Sequence, residues 1–234
     1  MKRSLEQEKM DLPGNPRDVL EADLRNLRAI NRYLGGRRSV LFVLKRLLAK
    51  SGSRRFTLLD VGTGSGDIPV AITRWARQRG IRATILALEP AAVTAAVAAT
   101  ETRGFPEISV VRGDGFAPPI GERSVDFVLV SQLLHHFSEE SIAALLSGWS
   151  RLACRAIIVS DLVRHPLAYC AILCLTRCFT RNPMTLNDAP LSVRRAFTRA
   201  EWRNLFIRSG FKEIEIFSLF PFRIAALLPL DAAR

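Results

Sequence analysis

Apolar positions along the chain fall into two spacings, and each predicts an element. Leu20, Leu24, Leu27, Ile30 and Leu34 recur at three- and four-residue steps, which is one face of a helix over 18–36 that Gly35 and Gly36 would end. A second apolar helix follows over 38–50, and a third pattern of this kind runs over 68–79. Short runs of strand type lie at 57–61, 83–88, 108–112, 124–130, 156–160, 213–219 and 222–227. Helical patterns separate the first five, so the alternation predicts a parallel sheet with helices on both faces. Only Phe220 and Pro221 separate the last two, which predicts an antiparallel hairpin.

Between the fifth strand and that hairpin stands a helical insertion, about 161–210. It opens with ten residues, Pro166 to Leu175, that are almost wholly apolar. Ten residues are too few to span a bilayer, which leaves a buried helix, a lid over a greasy substrate, or a surface helix touching membrane or partner. Residues 181–192 are rich in Asn, Asp and Pro and read as a loop, and Thr198 to Glu201 reads as a capping box. The first residues are polar, charged and broken by proline, so 1–17 reads as a flexible N-terminus without a signal peptide. The expected organisation is that flexible segment, a helical cap over 18–52, and a main domain over 53–234.

With 234 residues, 48% of them hydrophobic, the chain is long enough for one well-cored domain. The absence of a run of about 18 apolar residues argues against a spanning helix, and a cytoplasmic location follows as the expectation, with peripheral contact at the inner membrane face compatible with it. Net charge is +12, carried by 29 arginines and 5 lysines. They are spread along the chain with few aromatics among them, so nucleic acid is disfavoured as a partner. Oligomeric state has no sequence signal. Three of the four cysteines, Cys170, Cys174 and Cys178, fall four apart. On one helix the outer pair would stand roughly 12 Å apart along the axis, too far to share an ion, so no metal is expected.

The chemistry concentrates at Leu58 to Asp67, where an apolar strand runs into Asp60 and then Gly62, Thr63, Gly64, Ser65 and Gly66. A strand that turns tightly into a helix beneath a ligand needs residues without a Cβ, and the helix that follows points unpaired N–H groups at that ligand. A dinucleotide fingerprint is G-x-G-x-x-G. Here the third glycine comes one residue early, and Asp60 would repel a pyrophosphate but attract a cation. An adenosine cofactor bearing an ammonium and a sulfonium, S-adenosylmethionine, fits better than NAD.

An acid followed by G-x-G-x-G resembles the first motif of the class I S-adenosylmethionine-dependent methyltransferases, on Asp60, Gly62, Gly64 and Gly66. The resemblance extends over about 57–228 and is strongest to the bacterial small-molecule branch, which includes quinone-biosynthesis and polyketide or phenol O-methyltransferases. It implies an α/β fold: a Rossmann-like, seven-stranded, mostly parallel sheet with a C-terminal antiparallel hairpin. It also implies cofactor contacts. Thr63 and Asp67 belong to the loop, Glu89 with Pro90 to the ribose, Asp114 with Gly115 and Phe116 to the adenine, and Ser131 to the end of the fourth strand. Arg32 on the first helix is a candidate for the cofactor's carboxylate or an acidic substrate, against the alternative of a solvated charged face.

Two of the three histidines, His135 and His136, stand together after the fourth strand. Methyl transfer needs proximity, orientation and a deprotonated acceptor, and a histidine near neutral pKa can take a proton from a phenol or enol. His135 is the favoured general base; the alternative is a histidine that only packs. The segment Ser131 to Leu134 lacks the Asn/Asp-Pro-Pro-aromatic pattern of enzymes that methylate exocyclic base nitrogens. The expected reaction is methyl transfer to a small apolar or aromatic acceptor, most simply on oxygen. An RNA methyltransferase, a non-catalytic cofactor-binding protein and a nicotinamide oxidoreductase are the alternatives.

Overall fold

The computed structural model describes residues 1–230; the last four residues of the expected 53–234 domain lie outside it. Two helices, α1 (Arg17–Tyr33) and α2 (Gly36–Ser51), precede β1 (Arg55–Val61). Then follow α3 (Asp67–Arg77), β2 (Arg82–Glu89), α4 (Ala92–Glu101), β3 (Ile108–Arg112), β4 (Val125–Ser131), α5 (Glu139–Leu152) and β5 (Ala153–Leu162). The insertion is helical, α6 (Pro166–Phe179), α7 (Pro183–Arg195) and α8 (Arg199–Arg208), before β6 (Glu215–Leu219) and β7 (Arg223–Pro229).

The seven strands form one sheet in the order β3-β2-β1-β4-β5-β7-β6. Strands β1 to β5 pair in parallel, while β7 pairs antiparallel with both β5 and β6. Central strands such as β1 and β4 are buried almost throughout, as a sheet covered on both faces requires. On one face α5 and α8 pack Leu146, Trp149, Trp202 and Phe206. On the other, α2 and α3 pack Val43, Leu44, Ile72 and Trp75. Strand order reverses between β1 and β4, so the crevice beyond their carboxyl ends is where a ligand binds in such sheets.

Three expectations need correction. First, α2 is not part of a cap. Val40, Val43, Leu44 and Leu48 are buried against the sheet, and only α1 stands over the strand ends. Second, residues 181–192 are mostly helix. Asn182 caps α7 by accepting from Met184 and Thr185 N–H at 2.8 and 3.1 Å, Pro183 takes the first turn, and Pro190 is carried inside the helix. Third, the segment taken as flexible lies packed across α7 and the turn after β4. Ser4 and Glu8 are buried, Arg3 Nη2 donates to the carbonyls of His135 and Phe137, and Lys9 and Met10 N–H both donate to Asp188 at 2.9 Å. The polar residues that suggested a solvated arm are partners of buried polar groups. The capping box holds: Thr198 Oγ1 accepts from Glu201 N–H at 3.3 Å and Glu201 Oε2 from Thr198 N–H at 2.7 Å. Among the described residues no helix is long and apolar enough to cross a membrane.

Candidate cofactor and acceptor site

The glycine loop has the backbone its sequence demands. Gly62, Gly64 and Gly66 sit at φ of 68°, 57° and 76°, in the left-handed region. A Cβ at Gly62 would lie 2.8 Å from Leu133, whereas one at Gly64 would meet nothing within 4 Å. Gly62 is therefore a packing requirement, and Gly64 borders open space.

Three acids surround the loop, and each is held differently. Glu89, at the end of β2, is buried and accepts from Gly64 N–H at 3.0 Å and Ala91 N–H at 3.2 Å; burial raises its pKa. Asp67 opens α3 and accepts from Asn31 Nδ2 at 3.2 Å and Arg37 Nε at 3.0 Å. Asn31 also accepts from Gln132 Nε2, so the end of α1, the loop and the end of β4 are tied together. Gln132 has φ of 54°, strained for a residue with a side chain. Asp60 is 2% exposed and its Oδ2 has no partner. Burial, reinforced by the nearby Asp67 and Glu89, pushes its pKa up to about 7.

Beside the loop lies a slot of about 140 Å³, walled by Val61, Gly62, Leu88, Leu133, Phe137 and Trp149, with Pro90, Asp114, Gly115 and Phe116 at its rim. Its flat apolar walls suit a heteroaromatic ring. Asp114 is exposed, with one oxygen accepting from Phe116 N–H at 2.9 Å. Phe116 is 52% exposed and meets Phe137 edge-on at 5.7 Å. Thr63 Oγ1 and Ser131 Oγ are buried without a partner. Orphaned polar groups of this kind mark a place where a ligand completes the bonding, and with the open face of Gly64 they fit S-adenosylmethionine.

Arg32 is not at this slot. It lines a separate cavity of about 410 Å³ with Arg28, Arg37, Arg74, Ser65 and Asp67, and no residue lines both.

The histidines differ from expectation more sharply. His135 is 2% exposed, with Nδ1 2.7 Å from Asp161 Oδ1 and Nε2 3.6 Å from Glu8 Oε1. Burial alone would lower the ring's pKa, but Asp161 and Glu8 outweigh it and push it up to about 10. Both ring nitrogens face carboxylates and the ring is shut off from solvent, so the structure leaves His135 no face with which to take a proton from an acceptor. His136 holds Asp11 through Nδ1 at 2.7 Å. Glu8, Asp11 and Asp161 are the residues that the sequence reading missed. Glu8 and Asp11 lie more than 120 positions from the histidines, and no local pattern joins them.

Residues 58–154 match a family model described as a methyltransferase domain. No curated protein sequence matches the chain. Among solved structures it is similar to a S-adenosylmethionine-dependent methyltransferase from Aquifex aeolicus, at 14% identity and TM-score 0.63 over 90% of this chain and 98% of that one. It is also similar to magnesium protoporphyrin IX methyltransferase from Synechocystis, at 17% identity and TM-score 0.59 over 95% and 92% of the two chains. A third similarity is to the plantazolicin methyltransferase, at 12% identity and TM-score 0.66 over 92% and 97%. At these identities the structures speak for the fold. Residues 58–154 thus carry a match to a methyltransferase domain, and the chain as a whole has the fold of these S-adenosylmethionine-dependent methyltransferases.

Proposed function

We propose that the chain methylates a small acceptor with an apolar or aromatic body, on an oxygen atom. The carrying observation is the apolar cluster at the end of β5, where the partly buried Ile30, Leu34, Leu162, Tyr169 and Phe222 pack around the α6–α7 pair. Apolar side chains left partly exposed at the carboxyl end of the sheet favour an acceptor with an apolar body. Bound S-adenosylmethionine supplies an electrophilic methyl group on its sulfonium. Asp60 would face the cofactor's positive charge, Glu89 its ribose hydroxyls, and Asp114 its adenine amine.

With both nitrogens of the buried His135 ring engaged by carboxylates, the chain's contribution is positioning rather than proton removal. That favours acceptors whose oxygen ionises readily, such as acidic phenols, enols and carboxylic acids. Beside this cluster, Arg223 is buried with Nη1 unpartnered, a positive charge suited to an anionic oxygen. Two of the similar structures are named as methyltransferases of magnesium protoporphyrin IX and of plantazolicin, which supports a small-molecule acceptor and not a particular compound.

The test is incubation of the protein with methyl-labelled cofactor and a panel of acidic phenols, enolic polyketides, quinols, aromatic carboxylic acids and structured RNA. Labelled O-methyl products from the small molecules are expected. Transfer to RNA alone, or tight cofactor binding with transfer to nothing, would overturn the proposal.

A further inference from the structure

Beneath the N-terminal segment, Glu8, His135 and His136 each present one ligand atom, and the three lie within 4.8 Å of one another. His135 Nε2 stands 3.6 Å from Glu8 Oε1, and His136 Nε2 stands 3.7 Å from Glu8 Oε2. We propose that these residues form a binding site for a divalent first-row transition metal ion of the zinc or iron(II) class.

Four observations carry the assignment. The first is the gap itself. A charge-assisted bond between imidazolium and carboxylate closes to about 2.7–2.9 Å, and both contacts stop well short of that. Two metal bonds of about 2.0–2.2 Å meeting near the tetrahedral angle span roughly 3.3–3.6 Å, close to the separations found. Second, His135 Nε2 is buried with no hydrogen-bond partner and aimed into this gap, on a side chain only 2% exposed.

Third, the outer partners are those of a metal-bound histidine. His135 Nδ1 meets Asp161 Oδ1 and His136 Nδ1 meets Asp11 Oδ2, each at 2.7 Å. A carboxylate on Nδ1 fixes the tautomer that leaves Nε2 for the metal and makes that nitrogen more basic. Fourth, Glu8 is oriented from outside: its Oε1 accepts from Ser192 Oγ at 2.9 Å, with Arg195 Nε at 3.8 Å. Arg195 donates instead to the backbone carbonyls of His135 and His136, at 3.4 and 2.7 Å.

Two imidazoles and one carboxylate select the ion. Magnesium and calcium prefer oxygen throughout, whereas this donor set suits zinc or iron(II) and leaves a coordination position open. Metal binding releases whatever protons the ligand atoms carry into solvent. Because Glu8 comes from the N-terminal segment and the histidines from the turn after β4, the ion would fasten that segment over the edge of the cofactor slot.

The test uses the full-length protein, stripped with chelator and titrated separately with zinc and cobalt(II) while bound metal and released protons are counted. About one equivalent per chain, nitrogen–oxygen type cobalt absorption without a thiolate band, and a rise in melting temperature are expected. Glu8→Gln or His136→Gln should weaken binding at least tenfold, and Asp161→Asn by about 10- to 100-fold. A variant with Cys170, Cys174 and Cys178 changed to serine should bind as the parent does, since those exposed thiols are the obvious adventitious ligands. Folding of each variant is checked by circular dichroism and by retained S-adenosylhomocysteine binding. Absence of an equivalent in the parent protein, or binding that survives Glu8→Gln and disappears with the cysteines, would overturn the proposal.

Discussion

Asp161 Oδ1 lies 2.7 Å from His135 Nδ1, and both side chains are almost wholly shielded from water. One residue ends β5 and the other occupies the turn after β4, so the parallel pairing of these strands puts a carboxylate under an imidazole. The pair anchors the floor beneath the N-terminal segment. Removing the ring leaves a buried carboxylate without its cation, so His135→Ala should destabilise the fold by about 3–5 kcal/mol. Denaturant unfolding at neutral pH checks this; a variant as stable as the parent would restore the histidine to a merely local role.

Asp60 couples stability to cofactor binding through its raised pKa of about 7. Its carboxyl ionises near 3.8 when unfolded, so between pH 4 and 7 the unfolded state gains charge that the buried group resists. The resulting burden is absent below pH 4, grows towards pH 7 and is full above it, at roughly 4 kcal/mol. Asp60→Asn should therefore be more stable than the parent at pH 8, equally stable at pH 4, and weak in cofactor binding. Unfolding curves at the two pH values, with calorimetry against S-adenosylmethionine, test all three.

The same carboxyl gives the parent protein a pH-dependent affinity. Only ionised Asp60 attracts a cationic ligand, so affinity for S-adenosylmethionine should fall as pH drops below about 7. Titrations between pH 5.5 and about 8.5 should show the decline in the parent and a flat profile in Asp60→Asn.

Gly62 and Gly64 separate packing from binding. Gly62→Ala adds a methyl 2.8 Å from Leu133 to a left-handed backbone, and should cost at least about 2 kcal/mol of stability together with cofactor binding. Gly64→Ala meets no protein atom and should cost only about 1–2 kcal/mol for its φ, yet place a methyl where the ligand lies. Comparable losses of cofactor affinity with unequal losses of melting temperature are the expected pattern.

Asn182 supplies the cap that makes a helix of a segment resembling a loop. Asn182→Ala should lose about 1 kcal/mol, read as a lower unfolding midpoint with cofactor affinity unchanged.

The legible and illegible parts of the molecule divide by distance along the chain. The strands of the sheet, the terminal hairpin, the glycine loop and the capping box at Thr198 each depend on residues a few positions apart, and the sequence patterns placed them within a few residues. α7 was misread because Asn and Pro mark turns as readily as helix starts; the buried face of Met184, Ala189 and Val193 tipped the balance towards helix. Arg32 shares a helix face with Arg25 and Arg28, and periodicity alone did not say which cavity that face meets.

By itself the sequence determined the sheet, the turn conformations and the class of cofactor, because backbone sterics and short-range spacing impose them wherever the chain folds. Tertiary structure alone decided the state of His135. Its burial, its carboxylate partners and its place in the proposed metal site depend on Glu8 and Asp161, which only folding brings within reach, and electrostatic energies inside a protein follow distance and burial rather than order along the chain.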